Sequence, residues 1–76
     1  MNKTQQRILD ELDCSGPPEI IQNPFSGVEV VLDAQGVALY DFIKGCEVKG
    51  NYGKDFDQAR YLFCELYPDA YMKLID

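Results

Sequence analysis

Apolar residues recur at helical spacing in four stretches of the chain. Ile8, Leu9 and Leu12 lie one to four residues apart and share one face of a helix running from Asn2 to about Asp13. Asn2 or Thr4 supplies its N-cap. A helix this short is marginal unless it docks on the rest of the chain. Ser15-Gly16-Pro17-Pro18 ends it, because proline cannot continue a helix and glycine tolerates the left-handed turn. Leu39, Phe42, Ile43 and Cys46 fall at i, i+3, i+4 and i+7, predicting a helix from about Ala34 to Glu47 with Asp33 as N-cap. Phe56, Ala59, Phe63, Leu66 and Tyr67 share a face of a third helix, with Leu62 at its edge. Asp55 and Gln58 stand in a capping-box arrangement at its start. Pro68 ends that helix and suits the first position of a fourth, Pro68 to Ile75, with Tyr71, Leu74 and Ile75 on one side.

Between the first two helices the pattern changes. Asn23-Pro24 and Ser26-Gly27 are turn signals. Ile20, Ile21 and Phe25 are large and apolar, so the connector from Glu19 to Gly27 reads as an ordered extended segment lying against the core. Val28 to Leu32 is β-branched and short, which predicts a strand. Gly36 conflicts with the second helix, where it costs about 1 kcal/mol relative to alanine. The alternative makes Asp33-Ala34-Gln35-Gly36 a type I turn and pairs Val28–Leu32 with Val37–Tyr40, a hairpin over 28–40. The apolar stripe continues to Ile43 and Cys46, which favours the helix. Lys49-Gly50-Asn51-Tyr52-Gly53 is a loop.

The expected fold is therefore mainly α: three to four short helices packed on one core, with an ordered extended segment. Its parts are an N-terminal helix over 1–14, a connector over 15–33 and a helical core over 34–76, all in one domain. The expected core is Leu9, Leu12, Phe25, Val30, Leu39, Phe42, Ile43, Ala59, Phe63, Leu66, Tyr67, Leu74 and Ile75. With 76 residues, such a domain buries only roughly 60% of the surface its unfolded chain exposes, so the core is thin.

The stretch Asn23-Pro24-Phe25-Ser26-Gly27-Val28-Glu29-Val30, then Val37-Ala38-Leu39-Tyr40-Asp41-Phe42-Ile43-Lys44-Gly45, resembles a family of small uncharacterised proteins. These occur in Bacteroides-type gut bacteria and in their phages and mobile elements. Phe56-Asp57-Gln58-Ala59 and Tyr67-Pro68-Asp69-Ala70-Tyr71-Met72 are similar to that family's tail. The likeness covers roughly residues 20–76 and leaves out the first helix. It implies a bacterial or phage source and a cytoplasmic location. It carries over no functional residue, because the family has no assigned activity. Members carry proline and glutamate where this chain has Ala34 and Gln35. A first-position proline would support the helix over the hairpin, and this chain lacks it.

Charge narrows the partners. Thirteen acidic residues against seven basic ones give a net charge of −6. That opposes nucleic-acid binding and anionic membrane surfaces and permits attraction to a basic protein. No apolar run approaches the roughly 18 residues that span a bilayer. Met1 to Asp13 lacks the cationic start and apolar stretch of a signal peptide. A cytoplasmic protein is expected.

The chemistry-bearing residues are sparse. There is no histidine, and Cys14, Cys46 and Cys64 are widely spaced, so no zinc site or disulfide framework is expected. Cys46 and Cys64 fall on or beside apolar faces and read as core filler, while Cys14 sits before a turn, where a reactive thiol is the alternative. Asp55 and Asp57 are explained by the start of a helix, and Asp41 pairs with Lys44 three residues on. The glycines from Gly45 to Gly53-Lys54 fail as a phosphate loop, since Val48 stands where a glycine is needed and Asp55 where serine or threonine is. No catalytic, cofactor or metal residue is expected, and the chain is not read as an enzyme.

Tyrosine is the remaining signal. Tyr67 and Tyr71 fit a core edge. Tyr40, Tyr52 and Tyr61 fall off the apolar stripes, and tyrosine favours interfaces because it offers a large ring and a polar tip. With Asp41, Glu47, Asp57 and Glu65 they outline an acidic, aromatic interaction patch, against the plainer reading of edge-of-core rings. The function expected is a small acidic non-catalytic protein-interaction domain, an accessory or regulatory product of a phage or mobile element. A structural or homo-oligomeric component and a nucleic-acid mimic are the alternatives.

Overall fold

The protein's structure is a computed structural model that describes residues 1–75. Its architecture is mainly α, with helices α1 (Lys3–Glu11), α2 (Ala34–Lys49), α3 (Lys54–Leu66) and α4 (Pro68–Leu74). Between α1 and α2, strands β1 (Glu19–Gln22) and β2 (Glu29–Leu32) form an antiparallel hairpin.

Each boundary has a local cause. Asn2 caps α1: its side chain accepts from the Gln5 N–H at 2.8 Å, and the Gln5 side chain accepts from the Asn2 N–H at 3.1 Å. The Asn2 amide also donates to Gln58 of α3 at 2.8 Å. Asp33 caps α2 by accepting from the Gly36 N–H at 2.9 Å. Gly50 ends α2 at φ 70°, with its N–H on the Glu47 carbonyl and that of Asn51 on the Cys46 carbonyl, a Schellman ending. Pro68 opens α4 directly after Tyr67, whose backbone leaves the helical region.

Helix α2 forms as expected from Ala34, and the hairpin is not the alternative one over 28–40. Strand 28–32 does not turn at 33–36 to meet 37–40. It pairs backward with β1, in the register Ile20 opposite Val31 and Ile21 opposite Val30. Asn23 organises the loop: its side-chain oxygen accepts from the N–H groups of Phe25 at 2.8 Å and Ser26 at 3.3 Å. Gly27, at φ 76°, donates to the Asn23 carbonyl while the Asn23 N–H donates to that of Val28. Two residues thus oppose one in a glycine bulge. The loop is tied to α4 by the Asn23 amide on the Lys73 carbonyl at 2.8 Å.

The core joins all four helices to β2. Leu39, Ile43, Ala59 and Phe63 are wholly buried, and Ile8, Leu32, Leu62, Val37, Cys46, Phe56, Ala70 and Leu74 complete it. Leu9, Leu12, Val30, Phe42, Tyr67 and Ile75 pack around it half-buried. Four expectations of burial are overturned, the first at Ile20, which β1 turns outward at 64% exposure. Phe25 is 97% exposed, because the Asn23-centred turn puts it at the hairpin tip. Leu66 is exposed at the end of α3. Cys64 is exposed, since one residue past Phe63 turns it about 100° around the helix.

The start of α3 also differs. Gly53, and not Asp55, is its N-cap, with no side-chain cap bond. Asp55 lies inside the first turn and accepts from Arg7 of α1 at 2.6 Å. With Asn2–Gln58, this bond docks the short first helix on α3.

Candidate interaction surface

The expected patch is distributed over three surfaces. Tyr40 lies half-buried with its ring centroid 6.4 Å from that of Phe63, and the Lys44 ammonium sits 5.7 Å over it. Tyr52 is exposed but packs edge-on against Phe56 at 5.1 Å, with its hydroxyl on the Glu47 carbonyl at 3.3 Å. Glu47 pairs with Lys44 at 3.6 Å, so Lys44 serves Glu47 where Asp41 was expected. Asp57, Tyr61 and Glu65 follow one another at four-residue spacing on the exposed face of α3. Asp41 points elsewhere, into a groove of about 390 Å³ with Phe42, Lys49 and Asp55. Rings on α3 and α4 are covered by a cation as well: Arg60 lies 5.6 Å over Phe56 and 6.0 Å over Tyr71, and donates to the Tyr71 hydroxyl at 2.9 Å.

A polar network sits where β2, α2 and α4 meet. The Tyr67 hydroxyl donates to the Asp33 carboxylate at 2.6 Å and accepts from Gln35 at 3.3 Å. Burial, then the bond to Asp33, pushes the Tyr67 hydroxyl up to about 12. The Tyr67 bond, then the Gly36 N–H, holds the Asp33 carboxyl below its usual value. A folded-state value above the unfolded one, which is about 10 for tyrosine, means that the unfolded chain loses its proton first. This contribution is intact below pH about 10 and is lost as pH rises toward 12. Urea midpoints should therefore fall as the pH rises from about 10 to about 12. Tyr67→Phe should start lower, having lost the bond, and fall less over that range.

The surface least explained by packing is the outer face of the hairpin. Strand side chains alternate between faces. Ile21, Val30 and Leu32 point inward, while the paired Ile20 and Val31 point out and are 64% and 69% exposed. Phe25 at the tip and Val28 beside it extend this apolar surface. Next to it, a groove of about 440 Å³ runs between β2 and α4, lined by Glu29, Val31, Tyr67, Asp69, Ala70 and Lys73 among others. The expected patch omitted these residues. The available signal was the pair of segments Glu19-Ile20-Ile21-Gln22 and Glu29-Val30-Val31-Leu32, each opening with glutamate and two β-branched residues, on either side of the Asn23–Gly27 turn. It predicts a hairpin with one apolar residue of each strand turned out.

Among the described residues, no group of three or more histidine, cysteine or carboxylate side chains could hold a metal ion. Cys14 is half-buried and Cys46 buried. No helix of the described residues is long and apolar enough to cross a membrane. No protein-family model, curated protein or solved structure matches the chain.

Proposed function

We propose that this chain is a small, acidic, non-catalytic protein-interaction domain whose binding surface is the outer face of the β1–β2 hairpin. The observation that carries the reading is the exposed cross-strand pair Ile20–Val31 together with Phe25, which is 97% exposed. Keeping these side chains in water contributes nothing to folding, and apolar clusters of this kind mark contact sites. The net charge of −6 favours a basic partner and opposes self-association. Exposed carboxylates occur on every element, from Asp10 through Glu19, Glu29, Asp41 and Asp57 to Asp69. That spread forms no phosphate-like row and weighs against a nucleic-acid mimic. The role proposed is accessory or regulatory, in the cytoplasm of a bacterium carrying a phage or mobile element, the setting that the resemblance over residues 20–76 suggests.

The test uses tagged protein and lysate of Bacteroides-type cells. The wild type and Tyr61→Ser should capture the same protein, more strongly at low salt, and Ile20→Ser/Val31→Ser should not. Sedimentation of the free protein should give a monomer at all concentrations. Capture of nothing above background at low and moderate salt, or a mass that rises with concentration, would overturn the reading.

A further inference from the structure

The hairpin has an open edge, and its hydrogen-bonding pattern says which groups are free. The bulge bonds join Asn23 to Gly27 and Val28, so the ladder's bonded pairs alternate from that end. With Gln22 opposite Glu29 and Ile21 opposite Val30, the N–H and C=O groups of Val30 and Leu32 turn toward β1. Those of Glu29 and Val31 turn toward the free edge. Among the described residues, neither Glu29 nor Val31 has a backbone partner outside the hairpin. Four consecutive residues, Glu29 to Leu32, line the groove beside α4. Side chains alternate between faces, so a groove that meets all four runs along the strand's edge.

We infer that this edge receives an extended segment of a basic partner protein, added as a third strand on the free side of β2, along the groove beside α4. The inference rests on the interaction reading above and specifies its mode. Strand addition uses the outward N–H and C=O groups for affinity and alternate side chains for specificity. The charges select the occupant. Glu29 lies on the strand wall and Asp69 on the helix wall, with Lys73 the single cation among the lining residues. On the outer face, a paired strand sets one side chain beside Val31 and another, two residues away, beside Glu29. The matching pattern is an apolar residue and a lysine or arginine two apart. A second copy of this chain brings its own Glu29 and a net charge of −6 to the same place, which opposes self-pairing.

The probe is a palindromic heptapeptide of alternating threonines, with lysine, valine and lysine between them, so that either strand direction presents the pattern. Titrated into the full-length protein, it should slow amide exchange at Glu29 and Val31. Exchange at Val30 and Leu32, already bonded to β1, should stay unchanged. A peptide with glutamate in place of lysine should bind at least about tenfold more weakly, in line with charge complementarity. A version N-methylated at alternate amides should not bind. Val31→Pro removes the outward N–H without touching a ladder bond, and should keep the fold and lose the peptide. No response to the heptapeptide overturns the inference. So does slowing of the same amides by raised protein concentration alone, which would make a second copy the occupant. Shift changes confined to Ile20 and Phe25, without slowed exchange at Glu29 and Val31, overturn strand addition and leave the interaction reading standing.

Discussion

Phe63→Ala should destabilise the fold by about 3–5 kcal/mol. Phe63 is wholly buried where α3 meets α2 and α4, with the Tyr40 ring at 6.4 Å and the Tyr67 ring at 5.5 Å. Truncating a buried phenylalanine costs about 3–5 kcal/mol, because the lost transfer energy adds to that of the cavity. A domain of this length has a total stability of roughly 4–11 kcal/mol at 0.05–0.15 kcal/mol per residue. The variant should lose from about a quarter to nearly all of it. The loss reaches beyond the ring, since Tyr67 rests on Phe63 while its hydroxyl braces Asp33 at the cap of α2. Urea denaturation followed by far-UV circular dichroism should show a midpoint shifted far toward lower denaturant. A shift worth under about 1 kcal/mol would place Phe63 outside the core described here.

Gly36→Ala should destabilise the fold, although helix propensity alone favours alanine by about 1 kcal/mol. A Cβ at Gly36 would stand 3.1 Å from Leu32 Cδ2, 3.2 Å from Leu32 Cβ and 3.2 Å from Tyr67 Cζ. Neither neighbour gives way easily. Leu32 is 2% exposed, and the Tyr67 ring is held by its bond to Asp33 at 2.6 Å. Overpacking of this kind costs about 1–3 kcal/mol, so the alanine variant should come out modestly less stable and Gly36→Val lower still by roughly 2 kcal/mol. Thermal unfolding of the three proteins gives the order. Alanine above glycine would mean that Leu32 and Tyr67 yield, and that the close approach of α2 to β2 is not tight.

These two positions also show what was legible beforehand. Phe63 announced itself through the helical stripe of α3, as Leu39 and Ile43 did in α2. Asp33 was readable as a cap from its place before that stripe. Gly36 was visible only as a cost. Its reason, contact with a residue four positions back and another thirty-one ahead, is tertiary. The capping role expected for Asp55 went to Gly53, because Arg7 lies within 2.6 Å and holds the carboxylate.

The binding surface was harder to read for a specific reason. Side chains in a strand have a period of two, so a one-residue change of register exchanges the buried and exposed faces. Composition marks Ile20, Val31 and Phe25 as core material. Only the pairing of Ile20 with Val31, and the Asn23 bonds that aim Phe25 outward, turn them to solvent. The tyrosines gave the opposite impression. Tyr40 and Tyr52 fall off the apolar stripes, yet rest on Phe63 and Phe56. Tyr61 alone of the three stands exposed without a ring partner among the described residues.

The central claim is that the hairpin, and not the tyrosine face of α3, meets the partner. A photo-reactive phenylalanine analogue placed at Phe25 or at Tyr61, both largely exposed, tests it inside cells. The account predicts one crosslinked protein from position 25 and none from position 61. The same product from position 61, with nothing from position 25, would contradict it.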